Sequence, residues 1–85
     1  MIKVNKQMYP EIGDKMLISW DDYNRPDEHV EEYMEENRIP GNQVLNITDV
    51  DTEGHLVWCK EIPEYALSFR DIIIEHKETW TRLYN

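Results

Sequence analysis

The chain has 85 residues, 40% of them hydrophobic, with three Trp, five Tyr, one Phe, a single Cys and a formal net charge of −9. A chain of this length forms one domain, 1–85, and buries roughly 60–65% of the surface its unfolded form exposes; each aromatic adds roughly 150–250 Å² of burial to a modest core. One Cys excludes an intramolecular disulfide, the negative field disfavours naked nucleic acid and anionic membranes, and no stretch approaches the roughly 20 apolar residues of a spanning helix.

In chain order, "MIKVNKQMYP" lacks the apolar run of a signal peptide. With Cys59 inside the apolar run "HLVWC", this points to a buried thiol and a reducing, cytoplasmic compartment. "KMLISW", Lys15 to Trp20, follows the turn residues Gly13 and Asp14 and alternates Met16, Ile18 and Trp20 with Lys15, Leu17 and Ser19, which predicts the first strand. The next segment, "DDYNRPDEHVEEYMEEN", sets eight carboxylates against one Arg over residues 21–37. It also predicts the one long helix, at about 25–38. Asn24 suits the cap, Pro26 the first turn, and Pro40-Gly41 stops the chain. Val30, Tyr33 and Met34, with Pro26, fall in an arc of about 100°, one buried stripe.

"QVLNITDV" and "HLVWCK" flank Asp51-Thr52-Glu53-Gly54 and predict a hairpin whose Gly54 takes φ > 0. "EYALSF" fits either a helical turn or an extended approach. "RDIIIEH" brings three successive β-branched residues, Ile72 to Ile74, and predicts a strand. In "ETWTRLYN", Trp80, Leu83 and Tyr84 stand at i, i+3 and i+4, consistent with a short closing helix or a last strand.

Chemical motifs are sparse. Asp49, Asp51, Glu53, Gly54 and Leu56 match positions of a calcium loop, but Lys60 stands where a bidentate Glu is needed, so the hairpin turn is the better reading. His29, His55 and His76 have no zinc-site spacing, and no nucleophile accompanies the Asp21-Asp22 pair. The three glycines are isolated, which leaves no phosphate loop. The expectation is a non-enzymatic protein without metal or cofactor.

The acids of the helix are its distinctive feature. Asp27, Glu31, Glu35 and Glu28, Glu32, Glu36 form two columns at i, i+4 spacing, where each like-charge pair costs roughly 0.2–0.5 kcal/mol. Six carboxylates over nine steps of 1.5 Å make about one charge per 2.3 Å of axis, against about one per 1.7 Å for duplex DNA. No Lys is interleaved, as it is on an ordinary solvating helix.

"EIGDKMLISW", followed by "VLNITDVDTEGHLVWC" and "RDIIIE", resembles the small SH3-like barrels encoded by tailed bacteriophages, over about two-thirds of the chain. The resemblance carries over no functional residue. It implies a partly open antiparallel SH3-like barrel of four to five strands; the acidic helix inserted after the first strand departs from the minimal barrel, and the fold expected is α+β, mostly β. The resemblance also implies a host-takeover or anti-defence inhibitor acting in the host bacterial cytoplasm.

The function expected is a DNA-mimic-like carboxylate face on a monomer or homodimer. It binds a basic nucleic-acid-binding host protein or defence nuclease through Asp21, Asp22, Asp27, Glu28, Glu31, Glu32, Glu35, Glu36, Asp49, Asp51 and Glu53. The alternative is a structural or adaptor SH3-like module whose aromatic face binds a protein partner while the charge only solubilises. A small-molecule pocket lined by Trp20, Trp58 or Trp80 stands third.

Overall fold

The computed structural model describes residues 3–5, 8–76 and 78–83. The strands are β1 (Lys3–Val4), β2 (Lys15–Ile18), β3 (Leu45–Asp51), β4 (Leu56–Cys59), β5 (Leu67–Ser68), β6 (Ile72–His76) and β7 (Thr79–Arg82). One helix, α1 (Glu28–Glu36), lies between β2 and β3, and a 3₁₀ turn, Phe69–Asp71, leads into β6. The fold is therefore α+β and mostly β. Among the described residues all seven strands join one open sheet in the order β1-β7-β6-β2-β3-β4-β5, and only the β1–β7 pair is parallel.

The expected count of four to five strands is too low, because β1 and β5 are two-residue strands with too little alternation to stand out. With β1 in place, the helix follows the second strand rather than the first. The tail, open between helix and strand, is β7, which pairs with β6 from Ile73↔Arg82 to His76↔Thr79. The turn before it places Glu78 at φ 65. Tyr84, part of the alternative helical pattern, lies outside the described residues.

Strand alternation builds the core. Met16 and Ile18 of β2 are buried opposite Ile74 and Ile72 of β6, while the register puts Leu17 beside Ile73 on the other face. All three isoleucines of β6 are buried, so this strand is covered on both sides and reads as a continuous apolar run. β3 is the hinge of the sheet. Its first residues, Leu45 and Asn46, pair with β2, and from Ile47 on it pairs with β4, with a bulge between Ile47 and Asp49. Such a bulge bends and twists the strand. The buried side chains of both halves and of α1 form one cluster, from Met16 and Val30 to Phe69 and Leu83. Cys59 lies within it, fully buried, and desolvation pushes its thiol pKa up.

The hairpin between β3 and β4 forms where expected, but its conformation differs. Asp51 pairs with Leu56, which leaves a four-residue loop, and the left-handed residue is His55 (φ 55), not Gly54. A side chain at Gly54 would displace the Asp51 carboxylate. A Cβ there would stand 2.6 Å from the Asp51 carboxylate, which accepts the Gly54 N–H at 3.0 Å. His55 keeps its strained φ while its ring stacks on Phe69 at 5.2 Å.

The helix is shorter than expected at both ends. Its cap is Asp27, not Asn24: the Asp27 carboxylate accepts the N–H groups of His29 and Val30, and Pro26 is buried just ahead of it. At the other end the stop comes before Pro40-Gly41. Arg38 turns left-handed (φ 56), Ile39 N–H donates to the Met34 carbonyl at 2.8 Å, and Arg38 N–H donates to Glu35. This is a Schellman closure with Arg at the position glycine usually holds. Relieving the Cβ penalty there should stabilise the fold, so Arg38→Gly is expected to raise the unfolding free energy by about 1 kcal/mol in denaturant titration.

Candidate protein-binding face

The acidic helix is held by few side chains. Val30 and Met34 are buried in the main core, and Tyr33 packs at its edge with its ring against Tyr65 at 5.8 Å. The expected stripe is thus the contact stripe, and the carboxylates are turned away from the core. Glu28, Glu32, Glu35 and Glu36 are exposed. Among the described residues the ion pairs are Arg25–Glu31 at 3.5 Å and Arg82–Asp21 at 3.6 Å, so those four glutamates have no basic partner there. No basic residue occupies the last turn of α1 to offset Glu35 and Glu36 against the dipole.

Of the other acids in the proposed face, Asp21, Asp27, Glu31, Asp49 and Asp51 have internal duties. Asp27 caps α1, and Glu31 takes the Arg25 pair. Asp21 closes the turn after β2 by accepting from the backbone N–H groups of Tyr23 (3.0 Å) and Asn24 (2.6 Å). The Asn24 bond chiefly holds its pKa down against some desolvation, with Tyr23 and the Arg82 charge helping. Asp22 is exposed beside it. In the hairpin, Asp49 accepts its neighbour's N–H from Val50 and Asp51 braces Gly54, while Glu53 is exposed. These three sit at or beyond the C-terminal half of β3, in the hairpin that leads to β4.

Several residues escape pattern reading because their partners are distant in sequence. Arg82 donates to the Ser19 hydroxyl at 2.9 Å and lies beside Asp21, tying β7 to the start of the acidic segment. In the 3₁₀ turn, desolvation raises the pKa of Asp71, opposed by Arg70 and reinforced by the negative charges of Asp21 and Asp27. Glu61 behaves oppositely. Its burial favours the neutral acid, but the Asn46 N–H (2.9 Å) and side-chain amide (2.7 Å) outweigh this and lower its pKa.

Trp20 lies two residues beyond the end of β2, beside the helix residues Glu31, Met34 and Glu35. Its indole N–H donates to the Gly41 carbonyl at 2.8 Å, and the Arg25 guanidinium lies 5.7 Å above the ring. A groove of about 180 Å³ opens between Trp20, Glu31, Met34, Glu35, Ile39 and Gly41. Of the three tryptophans only Trp20 lines it. Gly41 is where the chain approaches the indole, since a Cβ would stand 3.1 Å from its nitrogen. Tyr23, on the Asp21 turn, is 90% exposed, and Tyr9 and Ile12 also face solvent.

Among the described residues no three His, Cys, Asp or Glu side chains are placed to hold a metal ion, and no helix is long and apolar enough to cross a membrane. Comparison of the chain with protein-family models, curated proteins and solved structures returned no match.

The two shifted acids give opposite pH signatures. Asp71, raised, favours folding when protonated; that contribution is complete below its unfolded pKa and lost as pH rises through the folded one. Asp71→Asn is therefore expected to raise Tm at pH 7, with the gain vanishing as pH falls below the ordinary carboxylate range. Glu61, lowered, contributes above its unfolded pKa and loses this as pH falls through the folded one. Glu61→Ala is expected to cost about 1 kcal/mol at pH 7, and less in acid; thermal melts across pH check both signs.

Proposed function

We propose that this chain is a non-enzymatic, acidic protein-binding inhibitor, encoded by a bacteriophage, that presents a DNA-mimic-like carboxylate face to a basic nucleic-acid-handling host protein in the bacterial cytoplasm. The observation that carries this reading is the exposure of Glu28, Glu32, Glu35 and Glu36 on a helix held down from its opposite side, with no basic partner among the described residues. These four span eight steps of 1.5 Å, about one charge per 3 Å of axis, near the roughly 3.4 Å spacing of one DNA strand. A groove that grips a phosphate backbone with Lys and Arg matches such a row in sign and spacing, and attraction at a distance accelerates encounter.

The finer fold reading is an SH3-like barrel. The order β6-β2-β3-β4-β5, the division of β3 between two partners and the 3₁₀ turn before β6 support it, with α1 in the long connection from β2 to β3. The alternative, an adaptor that binds through an aromatic face, is favoured by Tyr23, which stands exposed on a turn braced by Asp21.

Replacing Glu28, Glu31, Glu32, Glu35 and Glu36 together by Gln separates the two. Asp27 keeps its cap and the buried stripe is untouched, so the fold should be unchanged or stabilised as repulsions of roughly 0.2–0.5 kcal/mol per pair disappear. Capture of a basic partner from bacterial lysate should then fall steeply, and the wild-type complex should weaken with salt. Binding insensitive to both, but lost in Tyr23→Ala, would replace the mimic with the adaptor.

A further inference from the structure

The groove beside Trp20 differs from the rest of the acidic surface because it is both apolar and charged. Met34, Ile39 and the indole supply apolar walls, Glu31 and Glu35 stand one helical turn apart on one side, and the Gly41 backbone lies opposite the indole edge. Its volume, about 180 Å³, lies below the roughly 300–1,000 Å³ of sites for drug-sized ligands and suits a single long side chain. The Schellman closure sets the site, since the Ile39 N–H to Met34 carbonyl bond brings the groove's apolar residues together. A guanidinium is already accommodated at its margin, where Arg25 lies over the Trp20 ring and 3.5 Å from Glu31. Glu35, exposed and also lining the groove, has no such cation among the described residues.

We propose that this groove is a receptor for one arginine side chain of the basic partner, its aliphatic stem against Met34, Ile39 and Trp20 and its guanidinium at Glu35. Arginine fits better than lysine. Its planar, weakly hydrated head pairs with carboxylates and stacks on aromatic rings, whereas an ammonium is a compact, strongly hydrated charge. The inference rests on the protein-binding reading above and adds to it a fixed point of register. The carboxylate row attracts a basic surface without specifying alignment; an arginine seated beside Trp20 would set it.

The test uses the intact chain and two probes: N-acetyl-arginine N-methylamide, with its uncharged citrulline counterpart as control, and a peptide of alternating Arg and Gly. In two-dimensional NMR the arginine probe should shift the Trp20 indole N–H saturably, together with the amides of Met34, Glu35 and Ile39, and the citrulline probe should not. Glu35→Gln and Glu36→Gln remove the same charge from neighbouring exposed positions, so both should fold. Glu35→Gln should weaken arginine-probe binding roughly threefold to fivefold, the scale of an exposed ion pair, and Glu36→Gln should have little effect. Equal effects of the two variants, or equal shifts from citrulline, would overturn the groove. Salt-sensitive binding of the Arg-Gly peptide that leaves the Trp20 signal unmoved would overturn it while keeping the acidic face. No binding of that peptide would overturn both.

Discussion

The burial of Val30 and Met34 is the contact on which the surface chemistry depends. A nine-residue helix is too short to be stable alone in water, and α1 also carries like-charge pairs along two columns. Four such pairs cost about 1–2 kcal/mol, whereas fully burying two side chains of this size contributes roughly 3–6 kcal/mol. The core therefore holds a helix that its own surface opposes. Because the apolar stripe faces inward, the glutamates have no orientation available except outward.

The core that takes the helix is drawn from both halves of the sheet. β3 serves two neighbours in succession, and its bulge lets the β2–β6 half and the β4–β5 half contribute to one apolar cluster. The long connection from Trp20 to Val44 is fastened at both ends. Asp21 and Arg82 tie its start to β7, and the Trp20 indole ties it to Gly41 near its close. Those fastenings hold the groove between helix and strand end. On the proposed reading, an acidic face with broad attraction and a local receptor with shape sit on the same connection.

Acids that look equivalent in composition divide by what they touch. Asp21, Asp27, Asp51 and Glu61 accept backbone N–H groups and maintain turns, a cap or a strand edge. Glu28, Glu32, Glu35 and Glu36 do none of this among the described residues. Removing charge from the first group loosens structure, and removing it from the second relieves repulsion. The negative charge is thus partly architectural.

Hydrophobic periodicity was enough to place β2, the strands of the β3–β4 hairpin and the buried stripe of α1, because each buries one face at the period of its backbone, and the run of β-branched residues Ile72 to Ile74 placed β6, which is buried on both faces. The excess of acid over base in residues 21–37 was equally plain. Details decided by contacts far along the chain were not legible. The cap moved from Asn24 to Asp27 because Asp21 engages Asn24 in a separate turn. The left-handed hairpin residue moved from Gly54 to His55, whose ring stacks on Phe69 while Gly54 makes room for Asp51. The strands β1 and β5 exist only through their neighbours, being two residues long. By itself the sequence determined which faces are apolar and where the charge lies, since both are properties of neighbours at fixed spacing. Only the tertiary structure decided which carboxylates are committed to the fold and that Trp20, Met34 and Ile39 meet beside Glu35, because those pairings depend on how β3 bends and where the helix stops.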